Sequence, residues 1–181
     1  MNRKFKTLSK KIVYKKGPIT LVDCEVVMPN GIKLSRQILE HPGAVVIIPK
    51  LGPDRYVLIR QFRFAAKDWL YEFPAGGIEK GEDVKKAASR ELMEEIGYRP
   101  GKLKKAVQFY PTPGICAEVM YVYLAENLTP QTAEADEDED IEIFEVSLDK
   151  IGRMIKAGKI KDAKTIIGYF YLRNPESFSA K

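Results

Sequence analysis

One stretch, residues 76–98, constrains this chain most, because it places acidic side chains on the helix face that should be buried. Drawn as a helix over residues 83–96 at about 100° per residue, it groups small apolar residues and glutamates in a stripe roughly 120° wide. The stripe holds Val84, Ala87, Ala88, Glu91, Glu94 and Glu95. Unpaired charge is costly in an apolar environment, so these glutamates should meet a cation. Oxygen ligands at such spacings suit Mg²⁺ or Mn²⁺ better than Zn²⁺.

The helical pattern alone leaves two interpretations open, a metal site and an ordinary solvated helix face. The spacing of the charged and glycine residues favours the first. Gly76, five residues, Glu82, seven residues and then RELMEEIG over residues 90–97 resemble the signature of the Nudix hydrolases. The one departure is Tyr98, where that signature has an aliphatic residue, and this substitution affects only local packing.

The resemblance implies a set of functional residues on and before this helix. Glu91 and Glu95 would be the principal metal ligands, and Glu94 would lie close by and share an ion. The Ala75 carbonyl would be a further ligand, and Arg90 would orient the glutamates. Glu82 lies on the opposite side of the helical wheel, so we expect it to cap the helix or pair with an arginine.

Other catalytic centres are excluded by what the sequence lacks. Gly76 and Gly81 have the glycine spacing of a P-loop, but Glu82 stands where that motif needs lysine. His41 is the only histidine, so a Ser-His-Asp or Cys-His mechanism would depend on one residue in a turn. Divalent ions held by carboxylates polarise phosphoryl oxygens and activate water, which indicates phosphoanhydride hydrolysis.

The periodicity predicts an α/β (α+β) fold, a mixed β-sheet sandwiched between helices, as the Nudix resemblance also implies. We expect a β-hairpin at residues 19–28 and 32–39, strands at 43–49, 56–61, 70–73, 103–110, 119–125 and 141–146, and helices at 83–96, 148–157 and 163–172. Residues 1–40 are predicted to form an N-terminal β-hairpin arm, and residues 41–181 the hydrolase domain.

Composition limits the class of protein. A chain of 181 residues with 45% hydrophobic content fits one domain. No apolar run approaches the roughly 18 residues of a membrane span, so we expect a soluble, cytoplasmic protein without membrane partners. Cys24 and Cys116 should be reduced and packed. Seven basic residues and no acid among the first sixteen raise nucleic-acid binding, but no nucleic-acid motif accompanies them, which favours a basic, solvated arm.

Residues outside the signature have to indicate the substrate. A proline, Pro113, followed by Gly114, lies fifteen residues beyond it, as in Nudix enzymes that act on ADP-ribose. The segments LIRQFRF, WLYEFPAGG, FYPTPGICAE and DEDEDIEI also resemble the ADP-ribose pyrophosphatase subgroup. The resemblance implies Mg²⁺-dependent cleavage of ADP-ribose to AMP and ribose 5-phosphate by a homodimer with an exchanged N-terminal element. Alternatives are another nucleoside diphosphate sugar, such as GDP-mannose, and an ADP-ribose-binding module without turnover.

Residues for binding such a substrate can be named from their chemistry. The pyrophosphate needs cationic donors, for which Arg36, Arg60 and Arg63 are candidates, although each could be an ordinary surface residue. Glu72 could accept from adenine or ribose, and Trp69 could stack on a base.

The acidic segment 134–142 is the source of a general base. Glu139 is the first choice and Glu137 the second, since related ADP-ribose hydrolases carry a loop glutamate at this place. A solvated acidic loop is the alternative, because seven acids in nine residues need no site to explain them.

Overall fold

The computed structural model describes residues 4–131 and 140–178. The chain divides into two compact units. The small unit comprises Met1–Gly43 with Tyr110–Val119, and the large unit comprises Ala44–Phe109 with Met120–Lys181. The predicted division into domains after residue 40 stays a prediction.

The small unit contains a three-stranded antiparallel sheet in the order β1-β2-β3. Its strands are β1 (Lys6–Lys16), β2 (Ile19–Val27) and β3 (Lys33–Glu40). The predicted hairpin corresponds to β2 and β3. The basic segment before it was expected to be only a solvated arm, but it forms the third strand, paired with β2 while all its residues stay exposed. Gly17, at φ 55°, makes the reversal between β1 and β2.

The segment Tyr110–Val119 of the small unit lies against the end of β3. The backbone N–H of Leu39 donates to the Ile115 carbonyl at 2.8 Å, and that of Ala117 donates to the Leu39 carbonyl at 2.9 Å. These bonds join residues far apart in the sequence.

The large unit is a mixed seven-stranded sheet with the order β10-β5-β4-β9-β8, in which β6 pairs with β5 and β7 with β4. The β4/β9 pair is parallel and the other pairs are antiparallel. Its strands are β4 (Ala44–Gly52), β5 (Arg55–Arg63), β6 (Asp68–Glu72), β7 (Ala75–Gly77), β8 (Tyr98–Phe109), β9 (Met120–Pro130) and β10 (Ile141–Val146). The helices are α1 (Val84–Ile96), α2 (Leu148–Lys156) and α3 (Ala163–Arg173), with a 3-10 turn at Pro175–Phe178.

Helices cover both faces of this sheet, which confirms the predicted fold class. Val45 and Ile47 of β4 pack in one core cluster with the buried face of α1, whereas Val46 and Ile48 lie in the other. The second cluster contains buried residues of α2 and α3, including Ile151 and Tyr171, together with Phe73. A strand that is buried on both faces reads as a continuous apolar run, as β4 does.

The ends of α1 follow from its sequence. The Asp83 carboxylate accepts from the backbone N–H groups of Lys85 and Lys86, and Gly97 ends the helix in the left-handed region at φ 69°. No helix in the described parts of the chain has the length and apolarity needed to cross a membrane. Cys24 and Cys116 are both buried and unpaired.

Candidate active site

The glutamates of α1 meet the loop backbone that enters the helix. β7 pairs with β4, with Val45 opposite Gly76 and Val46 opposite Ala75. This pairing holds the loop so close to α1 that a Cβ atom built on Gly76 would lie 2.1 Å from the Glu91 carboxyl carbon. Only glycine fits between the sheet and this carboxylate without displacing it.

Arg90 gathers the acidic side chains around one guanidinium group. Its Nε and Nη2 donate to the two carboxylate oxygens of Glu82, both at 3.0 Å. Its Nη1 donates to Glu91 Oε1 and to Glu94 Oε2, both at 2.8 Å, and Nη2 also donates to the Gly77 carbonyl at 2.9 Å. All five guanidinium N–H groups therefore have acceptors.

These contacts shift the ionisation of both ends of the cluster. The hydrogen bond to Glu82 is the largest cause that raises the pKa of Arg90, and the charge of Glu91 adds to it. In return, the hydrogen bond from Arg90 lowers the pKa of Glu82 below its ordinary value. Glu82 is therefore a carboxylate at neutral pH and an arginine partner, as its place on the helical wheel predicted.

Glu95 is the most buried of the helix glutamates, with 7% of its surface exposed. Its Oε2 accepts from the backbone N–H of Ala75 at 3.0 Å. The structure thus brings together the residues that the sequence named as metal ligands: Ala75, Glu91, Glu94 and Glu95.

The ligand atoms that this cluster offers suit a hard cation, because every side-chain ligand atom is a carboxylate oxygen. Within the described residues, no three His, Cys, Asp or Glu side chains form a ready-made metal cage. The positive charge among the carboxylates is supplied by Arg90, whose Nη1 lies between Glu91 and Glu94.

Arg63 and Glu72, both named as substrate contacts, bind each other. Arg63 Nε donates to Glu72 Oε1 at 2.9 Å, and Nη2 donates to Oε2 at 2.6 Å. Lys164 Nζ is a second donor to Glu72 Oε2. The Glu72 side chain is 1% exposed, and the Arg63 side chain is 36% exposed. Both carboxylate oxygens of Glu72 accept hydrogen bonds inside the protein, whereas the Arg63 side chain reaches the protein surface.

Arg60 and Trp69 also form a pair. The Arg60 guanidinium carbon lies 5.0 Å from the Trp69 ring centroid and 5.7 Å from that of Tyr71. Its Nη1 donates to both oxygens of Glu142 at 3.2 Å. The rings of Trp69 and Phe62 meet edge to face, with their centroids 5.8 Å apart.

The other predicted substrate residues belong to the small unit. Arg36, Pro113 and Gly114 line one cavity of about 280 Å³, together with Tyr110 and Cys116. The candidate bases Glu137 and Glu139 lie outside the described residues.

Sequence reasoning missed Lys164, which joins the buried network around Glu72. The available signal was Asp162, which directly precedes the predicted helix 163–172. Its carboxylate accepts from the backbone N–H of Thr165 and pairs with Lys164 at 2.9 Å. Nothing in the local sequence indicates that Lys164 also reaches Glu72, ninety-two positions away.

Comparison with known proteins shows which family the chain belongs to. A family model described as NUDIX domain matches residues 40–167. The chain belongs to the NUDIX domain family. It is 36% identical to an ADP-ribose pyrophosphatase of Bacillus subtilis, over 97% of this chain and 96% of the relative. It is 34% identical to a methanol dehydrogenase activator of Bacillus methanolicus, with the same coverage.

A further relative and a solved structure are also similar to the chain. A GDP-mannose pyrophosphatase of Citrobacter koseri is 33% identical over 80% of this chain and 82% of the relative. A crystal structure of an ADP compounds hydrolase superposes with a TM-score of 0.81 at 24% identity, and covers 94% of this chain and 92% of that one. The last similarity supports the fold.

Proposed function

We propose that the protein hydrolyses the pyrophosphate bond of ADP-ribose to give AMP and ribose 5-phosphate, in a Mg²⁺-dependent reaction. The observation that carries this proposal is the similarity to the Bacillus subtilis ADP-ribose pyrophosphatase across 97% of the chain. The similarity to this relative extends over the N-terminal strands, which precede the residues 40–167 that the family model covers. The match to the Citrobacter GDP-mannose enzyme covers 80% of the chain, which makes ADP-ribose the better choice.

We assign the metal to Glu91, Glu94, Glu95 and the Ala75 carbonyl, with Mg²⁺ as the ion and Mn²⁺ as a substitute. A divalent ion bound there would polarise the phosphoryl oxygens and lower the pKa of a bound water. Arg90 orients the glutamates through its bonds to Glu91 and Glu94.

For the substrate, we assign the pyrophosphate to Arg63, since its Nη1 makes no hydrogen bond to any described residue while Nε and Nη2 hold Glu72. Glu72 then orients this arginine instead of touching the substrate. Arg60 and Trp69, already stacked, offer a planar surface for a base. The small-unit cavity is a further candidate subsite, with Arg36 as its cationic residue and the Pro113-Gly114 turn in its wall.

We further propose Glu139 as the general base, with Glu137 as second choice, and a cytoplasmic homodimer as the active form. A base within reach of the attacking water is needed because the helix glutamates are assigned to the metal.

A second candidate function is activation of a methanol dehydrogenase. It is favoured by the equally long similarity to the Bacillus methanolicus activator. Adding the protein to a methanol dehydrogenase and following alcohol oxidation tests it, with Glu95→Gln as control for any effect that depends on the glutamate cluster.

The test of the main proposal is the identity of the products. Incubation of ADP-ribose with the protein and Mg²⁺ should give AMP and ribose 5-phosphate in equal amounts, and none without protein. A protein that binds ADP-ribose but releases neither product would be a binding module.

A further inference from the structure

A buried lysine, Lys164, lies in the first turn of α3 with 7% of its surface exposed. A buried ammonium group is costly unless it is paired. Its Nζ donates to Glu72 Oε2 and, at 2.9 Å, to Asp162 Oδ1. Two carboxylates thus share this single cation.

Glu72 connects this lysine with the surface. Its carboxylate is shared between Lys164 and Arg63, and the charge of Glu95 in the candidate active site also raises the pKa of Arg63. Burial raises the pKa of Glu72, but the hydrogen bond from Arg63 and the charge of Lys164 outweigh it and keep that pKa below its ordinary value. Glu72 is therefore ionised at neutral pH.

The consequence concerns the position of Arg63. Lys164 and Asp162 carry opposite charges, so together they add no net charge to the Arg63–Glu72 pair. What they add is a fixed place for Glu72: Lys164 holds its Oε2, and the Glu72 carboxylate in turn holds Nε and Nη2 of Arg63. Asp162 fixes Lys164 by accepting from its Nζ through Oδ1, while its Oδ2 accepts from the backbone N–H of Thr165.

The same turn of α3 also fixes the backbone that leads to the candidate active site. Thr165 Oγ1 donates to Asp162 Oδ2 at 2.6 Å and accepts the backbone N–H of Phe73 at 2.8 Å. Two residues later, the backbone N–H of Ala75 donates to Glu95. The start of α3 therefore holds both the side chain of Glu72 and the peptide that follows it.

We infer that Lys164 is a positioning residue for substrate binding: by holding Glu72, it fixes Arg63 in place for contact with the substrate pyrophosphate. This inference rests on the proposed function.

The test is a double-mutant cycle between Lys164→Met and Arg63→Met, with ADP-ribose and Mg²⁺. Lys164→Met should raise KM about tenfold and change kcat by less than about threefold, because an interaction with substrate is weakened before and during reaction alike. In the Arg63→Met background the same substitution should change KM by less than about twofold, because its target is gone. Lys161→Met is the matched control: Lys161 also pairs with an acid, Asp68 at 3.0 Å, but its side chain is 63% exposed.

Additive effects of the two substitutions, or a KM for Lys164→Met equal to that of Lys161→Met, would overturn the inference. If Lys164→Met does not fold, Lys164→Arg replaces it, since it keeps a positive charge beside Glu72 and Asp162 while changing the geometry of the contact. Its KM should lie at least about threefold above that of the parent, and a parental KM would contradict the positioning role. A parent that neither binds nor cleaves ADP-ribose refutes the proposed function as well, whereas an active parent with additive effects refutes this inference alone.

Discussion

Gly76 in β7 lies directly against Glu91 of α1, and Gly76→Ala should disable the proposed site without unfolding the protein. The new Cβ would lie 2.1 Å from the carboxyl carbon of Glu91 and 2.1 and 2.3 Å from its two oxygens. Non-bonded carbon atoms prefer about 3.5–4.0 Å, so one side must move by roughly 1.4 Å. The backbone of Gly76 is held by pairing with β4, and the flexible Glu91 side chain will therefore yield.

The displaced carboxylate would leave the position in which it contacts Arg90, and with it the place proposed for a metal ligand. A misplacement of about 1 Å at a catalytic group costs about 10²-fold in rate. We expect kcat/KM for ADP-ribose to fall by about that factor, or about 2.7 kcal/mol of transition-state stabilisation. The assay is the initial rate of AMP release at saturating Mg²⁺, together with a thermal melt of the same preparation.

Gly77→Ala is the matched control, because a Cβ there meets nothing within 4 Å. It should retain activity within about threefold of the parent. Parental kcat/KM in Gly76→Ala would refute the assignment of Glu91. Equal losses at both glycines would refute the steric argument, since they would reflect loop stiffness instead.

Three further predictions address the ligands, the base and the buried network. Glu95→Gln should lower kcat by about 10²-fold to 10⁴-fold while circular dichroism stays unchanged, and near-parental turnover would contradict its role as ligand. Glu139→Gln should lower kcat by a similar factor with KM within a few-fold, whereas Asp138→Asn should change little; small and equal effects at both would remove the base from this segment. Glu72→Gln should lower the free energy of unfolding at pH 7 by about 3–5 kcal/mol, because it leaves Lys164 without one of its two carboxylates. Since the folded pKa of Glu72 lies below its ordinary value of 4.5, its contribution is present above that pH and is lost as the pH falls through the folded pKa. Denaturant titrations should therefore show the gap between parent and variant narrowing at pH 3, and a gap independent of pH would refute the charge-based reasoning.

The sequence predicted the elements that depend on local pattern. The helix at 83–96, the apolar strand β4 and both C-terminal helices follow from periodicity, which is a local property. The basic strand β1 was missed because its lysines indicate solvent exposure, and an exposed strand needs only a neighbour for its backbone. That neighbour, β2, supplies its pairing from outside the segment.

The candidate site was predicted in its residues and incompletely in its contacts. The helical wheel places no basic residue inside the glutamate stripe, but Arg90 lies at its edge as the i,i+4 neighbour of Glu94, and its side chain also reaches Glu91. The ion pairs of Glu72 with Arg63 and Lys164 depend on strand pairing and helix packing, which no local pattern specifies.

The most direct test of the proposed activity is a comparison of kcat/KM for ADP-ribose and GDP-mannose under identical conditions with Mg²⁺. ADP-ribose should exceed GDP-mannose by at least about tenfold, a difference of roughly 1.4 kcal/mol in transition-state binding. The products should be AMP and ribose 5-phosphate, and Glu95→Gln should lower the turnover of both substrates by about 10²-fold to 10⁴-fold. A higher kcat/KM for GDP-mannose would contradict the assignment of ADP-ribose, and absence of turnover of either would contradict the hydrolase itself.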